Sequence, residues 1–365
     1  MSESIPLFKV FLAPPERLMP TLQQMLYGGQ ISIGPPVGEF EQAFSDLVEI
    51  PNPVAVSSGT AALHLSLILA GIEDGEEVIT TPLTAEPTNV AIRQAGGRVV
   101  WGDVDPRNGN LDPASVAERI GPRTRAIMVV HYGGIPADTV ALRRLADENG
   151  LKLIEDSAHA IGARVEGKHV GALADYAMYS FQAIKHLTTV DGGMLCCRAP
   201  EESRRAKVIR WFGMDRDAAR TEVDIRELGF KYNMNNVTAT IGLVQLEYIR
   251  GVIERHVANG RYFDETLSEI AGLDLCEWQP EAEPSYWFYT VLTDRRDDLA
   301  RKLGEAGIGA STVHRRNDHH SFFASSAAEL PALDSFYARM LHIPCGWWVG
   351  DEERDHIVQT IRSGW

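Results

Sequence analysis

Short apolar runs alternate with amphipathic segments along the first half of the chain. The apolar runs lie at residues 54–56, 77–81, 98–101, 126–130 and 151–154. Helical patterns separate them, at about residues 61–70, 88–94 and 139–148. Short apolar runs between helical patterns are typical of buried strands, and their regular alternation predicts a mainly parallel sheet sandwiched by helices. The sequence therefore predicts an α/β protein.

A second region follows a long helical pattern from about Asn236 to Ile270. The pattern beyond it predicts a strand and two helices, at Tyr286–Leu292, Asp297–Glu305 and Asp351–Arg362. A chain of 365 residues is also longer than most single domains. We therefore expect a large domain over residues 1–250 and a smaller α+β domain over residues 251–365.

Charge and composition narrow the classes of partner. Lys and Arg number 35 against 50 Asp and Glu, a formal charge of −15, so the chain lacks the overall basic character of nucleic-acid-binding proteins. No uncharged apolar run reaches the ~18 residues of a membrane span, and we expect neither nucleic acid nor a membrane as a partner. The four cysteines include no CxxC pair, so no metal site is predicted. The amino terminus has no secretory pattern, and we expect a cytoplasmic protein.

A loop rich in hydroxyl groups follows the first predicted strand. Ser57-Ser58-Gly59-Thr60 comes directly before a predicted helix. The amides of a helix N-terminus attract anions, Gly59 lets a ligand approach the backbone, and Thr60 adds a hydroxyl. The loop is thus a candidate phosphate site, although a plain helix cap has the same composition. It is not a Walker A loop and no GxGxxG motif opens the chain, which disfavours nucleoside triphosphates and nicotinamide dinucleotides.

Two ionisable side chains follow later strands. Asp156 ends an apolar run, where a poorly solvated carboxylate needs a cationic partner such as a protonated pyridine nitrogen. Lys185 lies in the mostly uncharged stretch 179–193, and apolar surroundings lower the pKa of an amine and favour a nucleophile. Each residue alone would also suit a structural role. Together, however, a phosphate anchor, a carboxylate for a ring nitrogen and a lysine for an aldehyde match pyridoxal phosphate.

Six stretches of the chain carry a resemblance to one family. They are SSGTAALHLSL, GEEVITTPLT, AGGRVVWGDVDP, IEDSAHAIGARVEGKHVG, YSFQAIKHLTTVDGG and LGFKYNMNNVTATIGLVQLE. On these motifs the chain resembles the sugar aminotransferases of the DegT/StrS type, pyridoxal-phosphate enzymes with the aspartate aminotransferase fold. The resemblance extends from about Gly34 to Leu246. It implies a large domain with a mixed, mainly parallel, seven-stranded sheet and a smaller C-terminal domain.

The resemblance also implies roles for individual residues. Lys185 falls on the lysine that forms the Schiff base with the cofactor and moves protons, and Asp156 falls on the partner of the ring nitrogen. His159 falls near the phenolic oxygen of the cofactor. The residues that match phosphate ligands are Gly59, Thr60, Ser180 and Asn233. In the family the asparagine comes from the neighbouring subunit, so the resemblance implies a homodimer with shared active sites.

Two stretches depart from the family pattern. The family places an aromatic residue over the cofactor ring directly after Thr84, where this chain has Ala85, and what replaces it is open. The family's His-Tyr followed by Pro-Leu-His corresponds here to residues 313–320, on which we place no catalytic role. Candidates there for contact with an anionic substrate, or for a solvated basic turn, are His314, Arg315 and Arg316.

The reaction that the resemblance implies is transfer of an amino group from glutamate to a keto-deoxy sugar carried on a nucleotide, for a surface polysaccharide or a glycosylated natural product. Relatives that remove a sugar hydroxyl carry histidine in place of Lys185, which argues against that reaction. A pyridoxal-phosphate-binding regulator without turnover is a second alternative, favoured only by Ala85. A third is an aminotransferase for free keto acids, which would bind the substrate carboxylate with an arginine. The available arginines are Arg255, Arg261, Arg315 and Arg316.

Overall fold

A seven-stranded sheet forms the centre of the protein in the computed structural model, which describes residues 4–219 and 221–365. The strands in chain order are β1 (Pro53–Val56), β2 (Glu77–Thr80), β3 (Arg98–Trp101), β4 (Thr124–Val130), β5 (Lys152–Asp156), β6 (Arg164–Val165), β7 (Lys168–His169), β8 (Tyr176–Ser180), β9 (Gly193–Cys197), β10 (Asp274–Leu275), β11 (Ala282–Glu283), β12 (Tyr289–Leu292) and β13 (Met340–Ile343). The central sheet has the order β1-β9-β8-β5-β4-β2-β3. Strand β9 is antiparallel to both neighbours and all other pairs are parallel, which confirms the predicted α/β class.

Helices cover both faces of this sheet. The helices in chain order are α1 (Pro15–Tyr27), α2 (Pro35–Val48), α3 (Gly59–Leu69), α4 (Glu86–Gln94), α5 (Pro113–Arg119), α6 (Thr139–Asn149), α7 (Pro200–Ile209), α8 (Asn236–Leu246), α9 (Ile249–Leu267), α10 (Arg296–Glu305), α11 (Pro331–Arg339) and α12 (Asp351–Arg362). Alternate strand residues point to opposite faces. Met178 of β8 therefore packs under α3 and α4, whereas Tyr179 packs under α2 and α8. Asp156 pairs in register with Met178 and so points to the α3 and α4 face.

The carboxyl ends of β1, β4, β5 and β8 meet at one edge of the sheet. Strand β1 runs in the same direction as β8 because both are antiparallel to β9. Ligands of α/β sheets bind at this edge. The chain segments that follow β1, β5 and β8, where the candidate residues Gly59, Asp156 and Lys185 lie, are consequently neighbours in space.

A second unit follows around the antiparallel sheet β10-β12-β13. Its apolar core joins residues of α9, α10 and α12, and the amino-terminal segment packs here as well, with Ile5 pairing beside Ile308. The domain boundary that we expected at residue 250 falls at the second residue of α9. Over residues 4–219 and 221–365, no helix has both the length and the apolar character needed to cross a membrane.

Two elements differ from the sequence expectations. The long helical pattern from Asn236 to Ile270 forms two helices, α8 and α9, which are separated at Glu247 and Tyr248. The strand expected from Tyr286 begins only at Tyr289. Tyr286 has a positive φ of 48°, and the backbone amide of Trp287 donates to the carbonyl of Gly133 rather than to a strand of its own sheet. This turn brings residues 286–288 against the edge of the central sheet.

Candidate active site

Six of the seven predicted site residues line one cavity of about 420 Å³ at the carboxyl edge of the sheet. They are Gly59, Thr60, Asp156, His159, Ser180 and Lys185. These residues lie as many as 126 positions apart (185 − 59) in the chain, and the parallel strands bring them together. The seventh, Asn233, lines a different cavity of about 390 Å³.

The loop after β1 forms a tight cradle at the start of α3. Ser58 caps this helix by accepting a hydrogen bond from the amide of Ala61, at 3.1 Å, and the amides of the first turn have no acceptor within the helix. A Cβ atom on Gly59 would lie 3.0 Å from Cβ and 3.2 Å from Oγ of Ser180. A Cβ atom on Gly193 would lie 2.7 Å from the amide nitrogen of Gly59. Both glycines are thus required by close packing, and the resulting cradle suits a phosphate group.

Asp156 is 3% exposed and reaches the cavity from the end of β5. Its Oδ2 accepts a hydrogen bond from Oγ1 of Thr88, at 2.8 Å, and its Oδ1 accepts one from the amide of Ala158, at 3.1 Å. Thr88 Oγ1 also lies 2.9 Å from Oγ1 of Thr84. Burial raises the pKa of the Asp156 carboxyl above its ordinary value, and the two hydrogen bonds only partly oppose this shift. A protonated ring nitrogen would supply the cation that this carboxylate lacks.

Lys185 is half-buried, and its surroundings lower the pKa of its amine to about 7. Burial is the main cause, and the negative charge of Asp156 opposes it. At neutral pH a large share of the amine is therefore uncharged and able to act as a nucleophile or a base. Its Nζ lies 3.8 Å from the ring centre of Trp287.

His159 lies beside Lys185 and stacks on the indole ring of Trp287, with 3.8 Å between ring centres and 15° between planes. Its Nδ1 is buried without a hydrogen-bond partner, and burial holds its pKa well below the ordinary value. A neutral imidazole with an unpartnered nitrogen is ready to bond a polar group of a ligand. Trp287 is not among the residues that the sequence predicts for the site, because it stands in an apolar stretch that resembles any core strand.

The structure confirms that the wall near Ala85 lacks an aromatic ring. Ala85 and Pro87 line the cavity there, and no Phe, Tyr or Trp side chain does so among the residues that the structure describes. Asn317 holds this wall in place by donating to the carbonyl of Thr84 at 2.9 Å, while its Oδ1 accepts from the amide of Asn89 at 2.9 Å.

The three residues of the basic turn, 314–316, lie in three different environments. Arg316 is 5% exposed and forms ion pairs with Asp318 and Asp334, so it is not free to contact a substrate. Arg315 is exposed and donates to the carbonyl of His319. The ring of His314 lies parallel to that of His159, at 5.6 Å. Arg316 therefore has the position of a buried, ion-paired side chain and not that of a solvated basic turn, and its pairing does not favour a contact with an anionic substrate.

Two residues after β4, His131 and Tyr132, are buried outside the cavity lining. His131 Nε2 lies 3.0 Å from Oε2 of Glu155, and Tyr132 pairs through its hydroxyl with Nε2 of His342 at 2.9 Å. Their positions fit packing and hydrogen bonding behind the site.

An α/β sheet with a phosphate cradle, a buried carboxylate and a lysine at its carboxyl edge is the arrangement that pyridoxal phosphate requires, and comparisons with known proteins agree. The profile of the DegT/DnrJ/EryC1/StrS aminotransferase family matches residues 15–362, and the chain belongs to this family. The structure is similar to AtS13 from Actinomadura melliaura, at 41% identity and a TM-score of 0.95 over 100% of each chain.

Two further relatives extend the comparison. The sugar aminotransferase CalS13 from Micromonospora echinospora is 38% identical, with a TM-score of 0.96, and the match covers 99% of this chain and 100% of that one. The spore coat polysaccharide biosynthesis protein SpsC of Bacillus subtilis strain 168 is 30% identical over 358 residues, which is 93% of this chain and 92% of SpsC.

Family membership makes the protein a pyridoxal-phosphate-dependent aminotransferase. The residues in the cavity fit this cofactor on independent grounds. The cradle at Gly59 has no room for a side chain, the carboxylate of Asp156 is buried without an ion-pair partner, and Nδ1 of His159 is unpartnered. These three features match a phosphate, a ring nitrogen and a polar ring substituent, respectively.

Proposed function

We propose that the protein transfers an amino group from glutamate to a keto-deoxy sugar carried on a nucleotide. The observation that carries the proposal is the convergence of Gly59, Asp156 and Lys185 on one cavity. CalS13 is a sugar aminotransferase and SpsC belongs to polysaccharide biosynthesis, which supports a sugar as the acceptor. We assign the product to a surface polysaccharide or a glycosylated natural product.

The residues that would hold the cofactor have one task each in this proposal. The first turn of α3, with Gly59 and Thr60, would bind the cofactor phosphate together with Ser180. Asp156 would keep the ring nitrogen protonated, and His159 would bond the phenolic oxygen. When bound, the cofactor stabilises negative charge at the substrate carbon that loses its proton.

Lys185 has two tasks, which its lowered pKa serves. Its uncharged amine would be the nucleophile that bonds the cofactor aldehyde, and once free it would accept a proton from the substrate carbon and donate it again. An amine with a pKa of about 7 can do both near neutral pH, since its uncharged form can attack or accept a proton and its protonated form can give the proton back.

We further propose a homodimer in which Asn233 completes the site of the partner subunit. In its own chain, Asn233 lines the second cavity, and its Oδ1 is buried without a partner. The adjoining segments, 211–219 and 221–231, expose three large apolar side chains, which is typical of a surface that another chain covers. They are Phe212, Ile225 and Leu228, with 42%, 59% and 77% of their surface exposed.

The second cavity is lined by basic side chains as well as acidic ones. Glu41 pairs with Lys207 and Arg210 there, while Asp215 and Asp217 accompany the remaining lining cations, Arg204 and Arg216. The catalytic cavity, in contrast, has no arginine among its described lining residues, and Lys185 is its basic amine. A pyrophosphate or a substrate carboxylate would therefore meet cations that the partner subunit supplies together with Asn233.

The remaining alternatives are less well supported. A regulator without turnover does not need the full set of Asp156, Ser180 and Lys185 that the cavity assembles. An aminotransferase for free keto acids would bind the substrate carboxylate with an arginine, and none of Arg255, Arg261, Arg315 and Arg316 lines the catalytic cavity of its own chain. Arg255 pairs with Asp351, and Arg316 pairs with Asp318 and Asp334.

The first experiment is an absorbance spectrum of the purified protein with pyridoxal phosphate, before and after glutamate is added. We expect a yellow band that bleaches with glutamate in the wild type and is absent in Lys185→Ala. The matched control is Lys168→Ala, which changes an exposed lysine and keeps the band. A yellow band that no amino acid bleaches would support the regulator, and no band at all would contradict the role of Lys185.

The acceptor is tested by incubating the aminated enzyme with nucleotide-linked keto sugars and with free keto acids. We expect the yellow band to return with a keto sugar at a rate at least tenfold higher than with the keto acid of alanine or aspartate. The reverse preference would establish the aminotransferase for free keto acids. Sedimentation at several concentrations then tests the homodimer.

A further inference from the structure

Trp287 lies behind the catalytic cavity, against its lining residues Lys185 and His159, and two hydrogen bonds hold it there. Its backbone amide donates to the carbonyl of Gly133 at 2.8 Å, and its indole Nε1 donates to the carbonyl of Ile184 at 2.9 Å. Phe8 stacks on the indole ring, with 4.7 Å between the ring centres and 30° between the planes. The side chain is 1% exposed, so its position is fixed by packing as well as by hydrogen bonds.

The indole ring contacts Lys185 and His159, two of the residues that line the cavity. The Nζ atom of Lys185 lies 3.8 Å from the ring centre, and the ring of His159 stacks at 3.8 Å. A protonated amine over an indole face is attracted by the ring electrons, and the attraction strengthens when water is excluded. The hydrogen bond to Ile184 fixes the residue directly before Lys185.

We propose that Trp287 is a positioning residue, which holds the free amine of Lys185 and the imidazole of His159 in place. The proposal rests on the proposed function, because it gives Lys185 a period in which its amine is not bonded to the cofactor. During that period the long side chain would otherwise sample many rotamers. The indole face keeps the amine in the cavity, within reach of the proton that it has to move.

A purely structural role for Trp287 makes a different prediction. As a buried ring in the core, Trp287 would affect stability and leave the ionisation of Lys185 unchanged. A positioning role requires that the amine senses the loss of the indole face. The titration of Lys185 therefore separates the two roles, and it can be measured without turnover.

The experiment uses the full-length protein, freed of cofactor, and follows acylation of the Lys185 amine by mass spectrometry as a function of pH. The wild-type midpoint is expected at about 7. In Trp287→Leu the apolar volume stays but the ring face is lost, so we expect the midpoint to fall by about one pH unit. In Trp287→Phe a weaker ring face remains, and the midpoint lies between the two.

Exposed Lys168 is the internal control, and its labelling profile stays the same in all three proteins. An unchanged or raised midpoint in Trp287→Leu would overturn the proposal. Thermal unfolding confirms that each variant is folded before it is labelled. Should Trp287→Leu not fold, Trp287→Phe alone decides, because an unshifted midpoint in that variant contradicts a role for the indole.

A kinetic cycle supplies the second readout. We expect Trp287→Leu to slow the half-reaction with glutamate about tenfold while KM for glutamate changes by less than about twofold. In a Lys185→Ala background rescued with methylamine, the same change has a smaller effect, because the residue on which it acts is missing. Equal losses in both backgrounds would overturn the proposal. Failure of the proposed function gives a different result from failure of this proposal. If the proposed function is wrong, the wild type reacts with no amino donor, while the midpoint of Lys185 acylation still falls in Trp287→Leu.

Discussion

Two groups of residues at the catalytic cavity differ in where the chain supplies them. The first side, as we call it, lines the cavity directly and includes Gly59, Asp156 and Lys185, which lie at or just after the carboxyl ends of β1, β5 and β8. The second side lies behind the lining and includes Trp287 and Asn317, which come from the later part of the chain and bond to the lining residues Ile184 and Thr84. The first side holds the groups with chemical tasks, and the second side holds those groups in place. We therefore expect large losses of activity from changes on the first side and smaller ones on the second.

The largest effect is expected for Asp156→Asn. The amide cannot keep a ring nitrogen protonated, so the half-reaction with glutamate should slow on the order of 10³-fold, about 4 kcal/mol of transition-state stabilisation. Stopped-flow absorbance measures the rate. Asp147→Asn, which changes an exposed carboxylate on α6, is the matched control and keeps wild-type rates. A loss of less than about tenfold would contradict the assignment of Asp156.

Gly59→Ala tests the cradle on the same side. Its new methyl group would lie 3.0 Å from Cβ of Ser180, so the loop or the strand end has to shift. Overpacking of this kind costs about 1–3 kcal/mol, and we expect cofactor affinity to fall about 10- to 100-fold. Titration of the apoprotein with pyridoxal phosphate measures it. Gly304→Ala, where a methyl group meets open space, is the control. Unchanged affinity in Gly59→Ala would place the phosphate elsewhere.

Thr88 connects the two sides, because it bonds Asp156 and also lies against Thr84, whose carbonyl Asn317 holds. Thr88→Val removes a hydrogen bond to a carboxylate while keeping the shape, so we expect about a tenfold slower half-reaction. Loss of this hydrogen bond would raise the pKa of the Asp156 carboxyl further. Asp156 would then become protonated at a higher pH, so activity would be lost earlier as the pH falls. Thr88→Ser keeps the hydroxyl and restores most of the rate. Equal rates in the Val and Ser variants would show that the bond has no role.

The same contrast explains what could be predicted from the sequence. Asp156 and the loop at Gly59 stand next to strands whose apolar runs are visible, so their place at the sheet edge follows from local pattern. Trp287 donates a hydrogen bond to Ile184, which lies 103 positions away in the chain, and no local sequence pattern predicts a contact of that kind. The sequence alone leaves Arg316 open as a candidate substrate contact, because its ion pair with Asp334, 18 positions later, depends on how α11 packs. Tertiary contacts decide both cases, and spacing along the chain does not encode them.

The smallest effect on activity is expected for Asn317→Ala, on the second side. Asn317 is fully buried, and its loss leaves the carbonyl of Thr84 and the amide of Asn89 without their partner. Unpaired buried groups cost about 1–3 kcal/mol each, so the free energy of unfolding falls by a few kcal/mol, while the glutamate half-reaction slows only a few-fold. Urea unfolding and stopped-flow rates measure the two effects, with exposed Asn149→Ala as the control. If Asn317→Ala slowed the reaction as much as Asp156→Asn without loss of stability, both sides of the cavity would carry chemistry, and the distinction between them would fail.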